Sequence, residues 1–429
     1  MIDTKSLRKN LLSLAVTGKL TEQSEKDTSL SDDLNEYIPK MDIELPEIPT
    51  NWKYCKFDKV LINRDSERIP VSVADRKKLD KVYDYYGASG VIDKVDSYLF
   101  DETLLLIGED GANLLSRSTP IAFLAHGKYW VNNHAHVLAP TEHILLEYAE
   151  IVINSMSLVP FVTGAAQPKL SQNMMNKIAI PVPPLEEQQR IVDVVKESFK
   201  ILDTIDELQR AYVTDVEVLK SKLIDAGIQG KLTEQLPEDG VSEEIKGDDY
   251  ILEQDKILDI PATWNWIRLG WAMEVERGGS PRPIKAFLTD SDDGINWIKI
   301  GDVEKDGKYI IQTKEKIKPE GEKKSRKVYP GDFLLTNSMS FGRPYISKIE
   351  GCIHDGWLLL RNSKNVFDLD YLYWLLSSNY AYNQFVQKAS GATVDNLNKD
   401  KVASAIIPLP PIQEQKRIAS RIEELIQLI

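Results

Sequence analysis

The sequence predicts an α+β fold in which two β-rich globular domains are joined by two long helices that form an antiparallel coiled coil. The first observation behind this prediction is the length of 429 residues, which exceeds what one hydrophobic core usually supports. The second is an internal repeat that spans most of the chain. The third is a long run of apolar residues at helical spacing between the repeated halves. Together they predict a pseudo-two-fold, circular arrangement of domain, helix, domain and helix.

Four sequence segments occur twice, in the same order. IPVPPLEEQQRIV at 180–192 returns as IPLPPIQEQKRIA at 407–419, with eight of thirteen residues identical. The offset between copies grows from 212 to 227 residues, so the second copy carries 15 extra residues, and so long a period excludes a solenoid. The pattern indicates a tandem duplication. The other pairs are LRKNLLSLAVTGKLTEQ (7–23) with LKSKLIDAGIQGKLTEQ (219–235), IPTNW (48–52) with IPATW (260–264), and TGAAQPKLSQ (163–172) with SGATVDNLNK (390–399).

Each Pro-Pro pair precedes a segment with strong helix signals. Proline can precede a helix but not lie inside one, and acidic residues such as Glu187 and Glu414 favour a first turn. Apolar residues then recur at spacings of three and four as far as Gly227, which predicts a rod of roughly 60–65 Å. The alternative is two ordinary amphipathic helices, each packed on its own domain. The predicted segments are a central helix over 181–235, a distal helix over 407–429, and an N-terminal helix over 1–23 that completes the distal one.

Two mixed bodies, over 42–180 and 250–406, lie between the helical segments and alternate short strand-like runs with turns. The net charge of −13 weighs mildly against nucleic acid as a partner, because phosphate contacts need Lys and Arg. The bodies themselves are nearly neutral, with 14 Lys and Arg against 18 Asp and Glu in the first and 22 against 21 in the second. Most of the acidity therefore lies in the linkers and helices.

The remaining bulk features predict a cytoplasmic protein without a membrane partner. No apolar run approaches the length of a bilayer span. The two cysteines, Cys55 and Cys352, occur in unrelated contexts and are expected to stay free.

Polar side chains in the predicted turns are candidates for contacts with DNA bases, because Arg and Lys suit guanine and Asn and Gln suit adenine. A basic cluster in the first body offers contacts to phosphates. The loop ERGGSPRP at 276–283 could let backbone approach a ligand closely. Each residue has a plainer alternative, as a structural turn residue or a solvated charge. The candidates are Arg76, Lys77, Lys78, Ser89, Asn113, Arg117, Asn132, Asn133, His134, Arg277, Ser280, Asn296, Lys299, Ser338, Ser340 and Arg343.

Catalytic constellations are missing from the sequence. GIQGKLTE lacks the ending and spacing of a phosphate-binding loop, and neither GxGxxG nor GxSxG occurs. His134 and His136 would share one strand face, as zinc ligands do, but no Cys or carboxylate cluster accompanies them in sequence. We therefore expect a non-catalytic binding protein that holds no metal or cofactor.

The repeated IPxPPxxEQxRI and IPxxW segments, LLLIGEDGANLLSRSTPIAFLAHGKYWVNNHAHVL and TGAAQPKLSQ together resemble the DNA-specificity subunit of type I restriction–modification systems. The resemblance covers nearly the whole chain. It implies that each body is a target-recognition domain for one half of a bipartite site in double-stranded DNA. The helices would set the spacing and dock two methylase subunits, and motor-nuclease subunits would join for restriction. The complex would use S-adenosylmethionine, and ATP with magnesium, although this chain would bind neither.

Two departures from the family pattern refine the expectation. The distal helix stops earlier than the repeat predicts, so either the N-terminal segment completes it or a C-terminal piece is absent. The second body has GGSP and INWIKIGD in place of a GEDGA phrase, which predicts an asymmetric target. The half-sites should lie about one helical turn apart, roughly 34 Å. The alternatives are a non-catalytic coiled-coil scaffold with two protein- or ligand-binding domains, and an enzyme that acts on DNA alone.

Overall fold

The computed structural model describes residues 1–41, 43–164, 167–243, 251–304, 307–337, 342–389 and 397–429. The chain divides into two compact units, Met1–Ala211 and Tyr212–Ile429, and each is described by itself. One helix of 43 residues, Leu185–Gly227, runs through the boundary. At about 1.5 Å per residue it is roughly 65 Å long, as the apolar spacing predicted.

Unit 1 contains a β-rich body between two helical segments. Its helices are α1 Thr4–Val16, α2 Phe57–Val60, α3 Val73–Arg76, α4 Asn113–Ser116, α5 Leu146–Ser155, α6 Gln172–Met175 and the start of α7 Leu185–Gly227. Its strands are β1 Lys53–Lys56, β2 Leu61–Asn63, β3 Tyr83–Gly87, β4 Gly90–Val95, β5 Phe100–Asp101, β6 Leu104–Gly108, β7 Ala122–Ala125, β8 Lys128–Val131, β9 Ala135–Pro140 and β10 Ala179–Val182.

Two four-stranded sheets form the body of unit 1, with strand orders β2-β9-β6-β7 and β4-β3-β8-β5. Neighbouring strands are antiparallel except β3 and β8, which are parallel. Strand β6 is buried on both faces: Leu104 and Leu106 pack in one apolar cluster, whereas Leu105 and Ile107 pack in the other. Burial on both sides explains why this strand reads as a continuous apolar run in the sequence.

Unit 2 contains the end of α7 and a second body. Its other helices are α8 Leu269–Ala272, α9 Leu369–Ser377, α10 Asn379–Ala389, α11 Lys399–Ala403 and α12 Ile412–Gln427. Its strands are β11 Asn265–Arg268, β12 Glu274–Arg277, β13 Leu288–Thr289, β14 Ile295–Ile298, β15 Tyr309–Ile310, β16 Glu315–Ile317, β17 Arg326–Val328, β18 Phe333–Thr336, β19 Pro344–Ser347, β20 Gly351–Ile353, β21 Trp357–Arg361 and β22 Ile406–Leu409.

The body of unit 2 repeats the strand order of unit 1 and adds one edge strand to each sheet, β15 to one and β13 to the other. Its sheets are β12-β21-β18-β19-β15 and β13-β16-β14-β20-β17, and β14 pairs with β20 in parallel, as β3 does with β8. The first and last strands of each body pair with each other, β1 with β10 and β11 with β22, in matching antiparallel registers. The duplication therefore extends through the bodies, where the sequences no longer match. The α+β repeat predicted from the sequence is confirmed.

An antiparallel helix pair lies in each unit. In unit 1, α1 runs against α7, because Arg8 pairs with Asp203 at 2.7 Å whereas Ile2, earlier in the chain, pairs with Gln209. In unit 2, α12 runs against the end of α7: the hydroxyl of Tyr212 donates to the carbonyl of Ile429 at 3.2 Å. A Cβ on Gly227 would lie 2.6 Å from Cδ1 of Ile422, so the two helices approach closely at this glycine. That the N-terminal helix completes the distal one stays a prediction.

The apolar segment 368–386 forms two helices, α9 and α10, since the chain turns at Ser378, whose hydroxyl donates to the carbonyl of Leu375 at 2.6 Å. The predicted stripe on α7 is buried at Ile191 and Val195 but exposed at Leu208 and Tyr212. No described helix is both long and apolar enough to cross a bilayer.

Candidate nucleic-acid interface

A buried carboxylate anchors the start of α7 in unit 1. Glu187 accepts hydrogen bonds from Nε1 of Trp52 at 2.9 Å, from Nε2 of Gln23 at 2.6 Å and from the hydroxyl of Thr21 at 3.1 Å. Its side chain is fully buried, so these donors replace the water that a charged group needs. The GKLTEQ, IPxxW and IPxPPxxEQ segments thus meet at one group.

Unit 2 builds the same junction. Glu414 accepts from Trp264 at 2.8 Å, from Gln235 at 2.6 Å and from Thr233 at 3.3 Å. The repeated glycine is also explained: Gly230 has a φ of +71°, and a Cβ there would lie 2.5 Å from Pro261. We call each of these junctions the mount of its body.

A glutamine and an arginine complete each mount with further hydrogen bonds. Gln188 accepts from the backbone of Leu145 at 2.8 Å and donates to the carbonyl of Pro183 at 2.9 Å, and Gln415 makes equivalent bonds in unit 2. Arg190 forms a bidentate pair with Asp27 at 2.7 and 2.8 Å, and its guanidinium lowers the pKa of that carboxyl. Every polar residue of the EQxR motif therefore has a structural partner.

Loops gather at the end of the body in unit 1 that β6 and β8 point towards. The backbone nitrogen of Glu109 donates to the carbonyl of His134 at 2.8 Å, and the carbonyl of Glu109 accepts from Leu170 at 2.8 Å. We call this set of loops, 109–113, 132–134 and 167–170, loop edge 1. At its surface the imidazole of His134, which is half exposed, lies 2.8 Å from Asp110.

The same backbone arrangement recurs in unit 2. Asn337 follows β18 as Glu109 follows β6; its nitrogen donates to the carbonyl of Gly356 at 3.1 Å, and its carbonyl accepts from Leu397 at 3.1 Å. The loops 278–285, 354–356 and the described residue Asn337 form loop edge 2. Here Ser280 donates to Asp355 at 2.7 Å and lowers the pKa of that carboxyl. Arg282, with 83% of its side chain exposed, lies 3.6 Å from the same carboxylate.

A cleft of about 900 Å³ adjoins loop edge 2. Its walls combine the loop after β12 with the end of β14, and buried Trp297 also lines it. Its lining holds three basic and two acidic residues, and the acids pair with two of the bases: Glu315 with Lys299 at 2.5 Å, and Asp355 with Arg282 at 3.6 Å. The cleft is therefore an open, polar surface with a small excess of positive charge. The lining includes Ser280, Arg282, Lys285, Lys299, Glu315, His354 and Asp355.

Several predicted contact residues do lie at these edges. In unit 1, Asn133 and His134 are exposed on loop edge 1, while buried Asn132 accepts from the nitrogen of His134 at 2.8 Å and supports that loop. Ser89 is exposed in the turn between β3 and β4, whose neighbour Ala88 approaches the end of β6. In unit 2, Ser280 and Lys299 both line the cleft.

Other predicted residues have internal roles instead. Asn113 accepts from the hydroxyl of Ser118 and the nitrogen of Thr119, closing its own loop. Arg117 donates to the carbonyl of Ile153 in the last turn of α5 at 3.3 Å and to that of Met156, directly after the helix, at 2.6 Å, and burial lowers the pKa of Arg117. Asn296 donates to the carbonyl of Glu350 at 2.8 Å, in the middle of its sheet. Each of these contacts supports the plainer, structural alternative.

The basic cluster lies on another part of unit 1. Arg76 pairs with Asp93 at 2.8 Å and stacks on Tyr85, and Lys78 pairs with Asp75 at 3.2 Å. Lys77 is exposed between them. Arg277 is exposed at the end of β12, and Arg343 precedes β19. Ser338 and Ser340 lie outside the described residues.

Sequence reasoning missed five charged residues that lie on the two edges. The signal for Lys169 was available, because TGAAQPKLSQ is one of the repeated phrases. The signal for Arg282 and Lys285 was their place in or beside the loop ERGGSPRP, from which only Arg277 and Ser280 were selected. The five residues are Asp110, Lys169, Arg282, Lys285 and Asp355.

A cluster of acids beneath loop edge 1 has the geometry of a cation site. Asp65, Glu109 and His136 come close enough to share a cation. However, Arg68 and Lys169 bind the carboxylate of Glu109 at 2.7 and 3.0 Å. Cationic side chains of the protein therefore already balance these acids.

The family model described as the type I restriction modification DNA specificity domain matches residues 49–211 and 261–429. The two matches cover more than half of the chain and coincide with the two repeated units. The chain belongs to the type I restriction–modification DNA-specificity family. The predicted resemblance is confirmed, and a DNA-specificity role replaces the scaffold alternative.

Known members of the specificity family agree with this assignment. A protein of Haemophilus influenzae assigned as a type I restriction enzyme specificity subunit is 29% identical over 349 residues, which cover 79% of each chain. The crystal structure of the HsdS subunit from Thermoanaerobacter tengcongensis shares 18% identity with a TM-score of 0.52, over 89% of this chain and 90% of that one. A structure from a study of assembly and conformational transition of the type I system has a TM-score of 0.61, with 18% identity over 90% and 92%. Specificity subunits are not themselves catalytic, so this chain is a binding subunit and not an enzyme.

Proposed function

We propose that the chain directs a type I restriction–modification complex to an asymmetric, bipartite sequence in double-stranded DNA, with each body reading one half. The observation that carries the proposal is a contrast within the chain. The two bodies share strand order, mount and the backbone bonds of their loop edges, whereas the side chains on those edges differ. A common frame with different exposed side chains is what reading two different half-sites requires.

The chemistry of the two edges predicts different base preferences. Loop edge 1 exposes the amide of Asn133 and the imidazole of His134, which suit bases with a paired donor and acceptor, such as adenine. Loop edge 2 exposes Arg282 and Lys285, which suit guanine and the phosphates beside it. An asymmetric target follows from this difference.

The helices are proposed to set the spacing between half-sites and to dock two methylase subunits. Apolar side chains stay exposed on α7 in each unit: Ile201 and Leu208 in the first, Tyr212 and Val218 in the second. Exposed apolar surface on a long helix favours contact with another protein. Motor-nuclease subunits would complete the complex for restriction. S-adenosylmethionine would belong to the methylase, and ATP with magnesium to the motor, with none held by this chain.

Mapping of N6-methyladenine tests this function. The gene is expressed with its cognate methylase gene in a host without background adenine methylation, and the methylated positions are sequenced. We expect one motif made of two short specified parts around an unspecified spacer. The matched experiment exchanges residues 53–182 for the body of another family member and should change only one part. A methylated motif without two parts, or a change in both parts after exchange, would contradict the proposal.

A further inference from the structure

A buried ionic network lies directly beneath loop edge 1. The ring of His136, only 1% exposed, contacts the carboxylate of Asp65 through Nδ1 at 2.6 Å and the carbonyl of Leu170 through Nε2 at 2.7 Å. Both ring nitrogens face acceptor oxygens, so the ring makes both hydrogen bonds only when each nitrogen carries a proton. Burial by itself raises the pKa of Asp65, but bonds led by the one from His136 bring that pKa below its usual range.

Arg68 and Glu109 extend the network. Arg68 donates to Glu109 at 2.7 Å and to the carbonyl of Ala135 at 2.6 Å, and it lies 3.4 Å from Asp65. The carboxylate of Glu109 lies 3.9 Å from the His136 ring and also pairs with half-exposed Lys169. The charged groups around His136 are therefore two acids, Asp65 and Glu109, and two bases, Arg68 and Lys169.

Three members of the network are bonded to backbone at the base of loop edge 1. Asp65 accepts from the nitrogen of Val137 at 2.9 Å, and Arg68 and His136 bond to the carbonyls of Ala135 and Leu170. The contacts at Ala135 and Val137 lie just after the loop 132–134, and the contact at Leu170 lies at the last residue of the loop 167–170. The network therefore fixes one end of two of the three loops. Directional bonds between buried charges specify such positions more sharply than apolar packing does.

Unit 2 has different side chains at the positions that correspond to this network. The second residue of β21, where β9 has His136, is the buried apolar Leu358. Asn337 takes the position of Glu109, and its neutral amide donates to the carbonyl of Asp355 at 2.8 Å. Among the described residues of unit 2, no ionic network occupies this place, so the second body serves as an internal control.

We propose that Asp65, Arg68, Glu109 and His136 are positioning residues that fix the base preference of the half-site read by unit 1. They act through the loops that they hold, without touching DNA. The inference rests on the proposed function and adds to it the residues that set specificity on one side only. Disturbing the network changes what unit 1 reads and leaves the reading of unit 2 intact.

The test uses the full chain assembled with its methylase. Methylation rates are measured on a DNA library with substitutions in either half of the wild-type motif, for wild type, His136→Gln and Asp65→Asn. Glutamine can donate to one of the two acceptors but not to both, so we expect discrimination at one or more positions of half-site 1 to fall about tenfold. Discrimination at half-site 2 stays unchanged. Asn337→Ala is the reciprocal control and should relax half-site 2 alone.

Methylation guided by half-site 2 reports that each variant is folded and assembled. Unchanged discrimination at half-site 1, or an equal loss for all sequences, overturns the inference and assigns the network a purely structural role. If His136→Gln does not fold, Arg68→Lys keeps the charge and loses the branched geometry of the guanidinium, and the same comparison decides. A wild-type complex without a two-part motif would instead contradict the proposed function, which separates the two failures.

Discussion

The indole nitrogen of Trp52 donates a hydrogen bond to Oε2 of Glu187 at 2.9 Å, across 135 residues of sequence. Trp264 and Glu414 repeat the contact at 2.8 Å in unit 2. Each carboxylate lies in the first turn of its helix, where the helix dipole also favours a negative charge. One buried acid thus holds together the repeated segments on either side of a body, which is why those segments recur while the body between them varies.

Removing the indole donor should weaken the mount. Trp52→Phe keeps an aromatic ring but takes one hydrogen bond from the buried carboxylate of Glu187. Bonds to charged groups contribute about 1.5–3 kcal/mol, so we expect the unfolding free energy of unit 1 to fall by about that amount. Urea unfolding followed by circular dichroism measures the change, and Trp264→Phe should produce a matching loss in unit 2.

Trp374 supplies the control for this prediction. Its buried Nε1 has no hydrogen-bond partner among the described residues, so Trp374→Phe removes an indole without removing such a bond. If Trp374→Phe and Trp52→Phe destabilise equally, the loss comes from ring packing and the role assigned to the Glu187 bond is wrong.

Glu150 should make stability depend on pH. Burial, helped by Glu147 and opposed by Lys196, raises the pKa of Glu150 from 4.5 to about 7. An acid whose pKa is raised by folding contributes stability below pH 4.5 that is lost as the pH rises to about 7. Glu150→Gln should therefore be more stable than wild type above about pH 7, by on the order of 1–3 kcal/mol.

The measurement is the unfolding midpoint between about pH 4.5 and 8. The difference between Glu150→Gln and wild type should grow with pH across this window. Glu197, whose side chain is 70% exposed beside Lys200, supplies the control, and Glu197→Gln should leave the slope unchanged. A constant difference at every pH would refute the prediction.

Arg282 should set a base preference in the half-site read by unit 2. Asp355 orients its exposed guanidinium, which leaves most of its donors available for a guanine. Arg282→Ala should lower discrimination at one position by about 10- to 100-fold, as expected for loss of about 1–3 kcal/mol. Competition binding with single-base variants of the motif measures this. Arg421→Ala, on the helix α12, is the matched control, and an equal loss in both variants would contradict the assignment.

Two neighbouring lysines test the phosphate role of the basic cluster. Lys77 is exposed, whereas Lys78 pairs with Asp75. If Lys77 contacts a phosphate, Lys77→Ala should weaken binding to all sequences and reduce the slope of log affinity against log salt by about 1. Lys78→Ala should change the slope less. Identical slopes in wild type and Lys77→Ala would place this cluster away from the DNA.

The sequence predicted the long helix and the repeat of this fold better than the strand order within the two bodies. Apolar spacing and the Pro-Pro signals placed α7, since helical periodicity is a local property of the chain. The common strand order of the two bodies was not predictable from the repeat, because the pairing of β3 with β8 and of β14 with β20 depends on contacts far apart in sequence.

The candidate site shows the same division. Asn133, His134 and Ser280 were selected as turn residues and do lie on the loop edges. Arg117 was selected as a turn residue in the same way, but its guanidinium donates to the carbonyl of Met156 directly after α5, and no local pattern distinguishes the two roles. The network around His136 needs residues from three separate segments, so pairwise proximity, which one sequence does not contain, was required to find it.

The pairing of the first and last strands of each body has an evolutionary consequence. Lys53 lies opposite Val182, and Asn265 lies opposite Leu409. The chain therefore enters and leaves each body at neighbouring positions beside the mount. Insertions between these two strands lengthen the body but do not change the positions at which the chain enters and leaves it. Between these strands the second body is 15 residues longer than the first, yet β11 pairs with β22 in the same antiparallel register as β1 with β10. Selection for new DNA targets can therefore remodel the variable part freely, while the parts that assemble the complex remain under separate constraint.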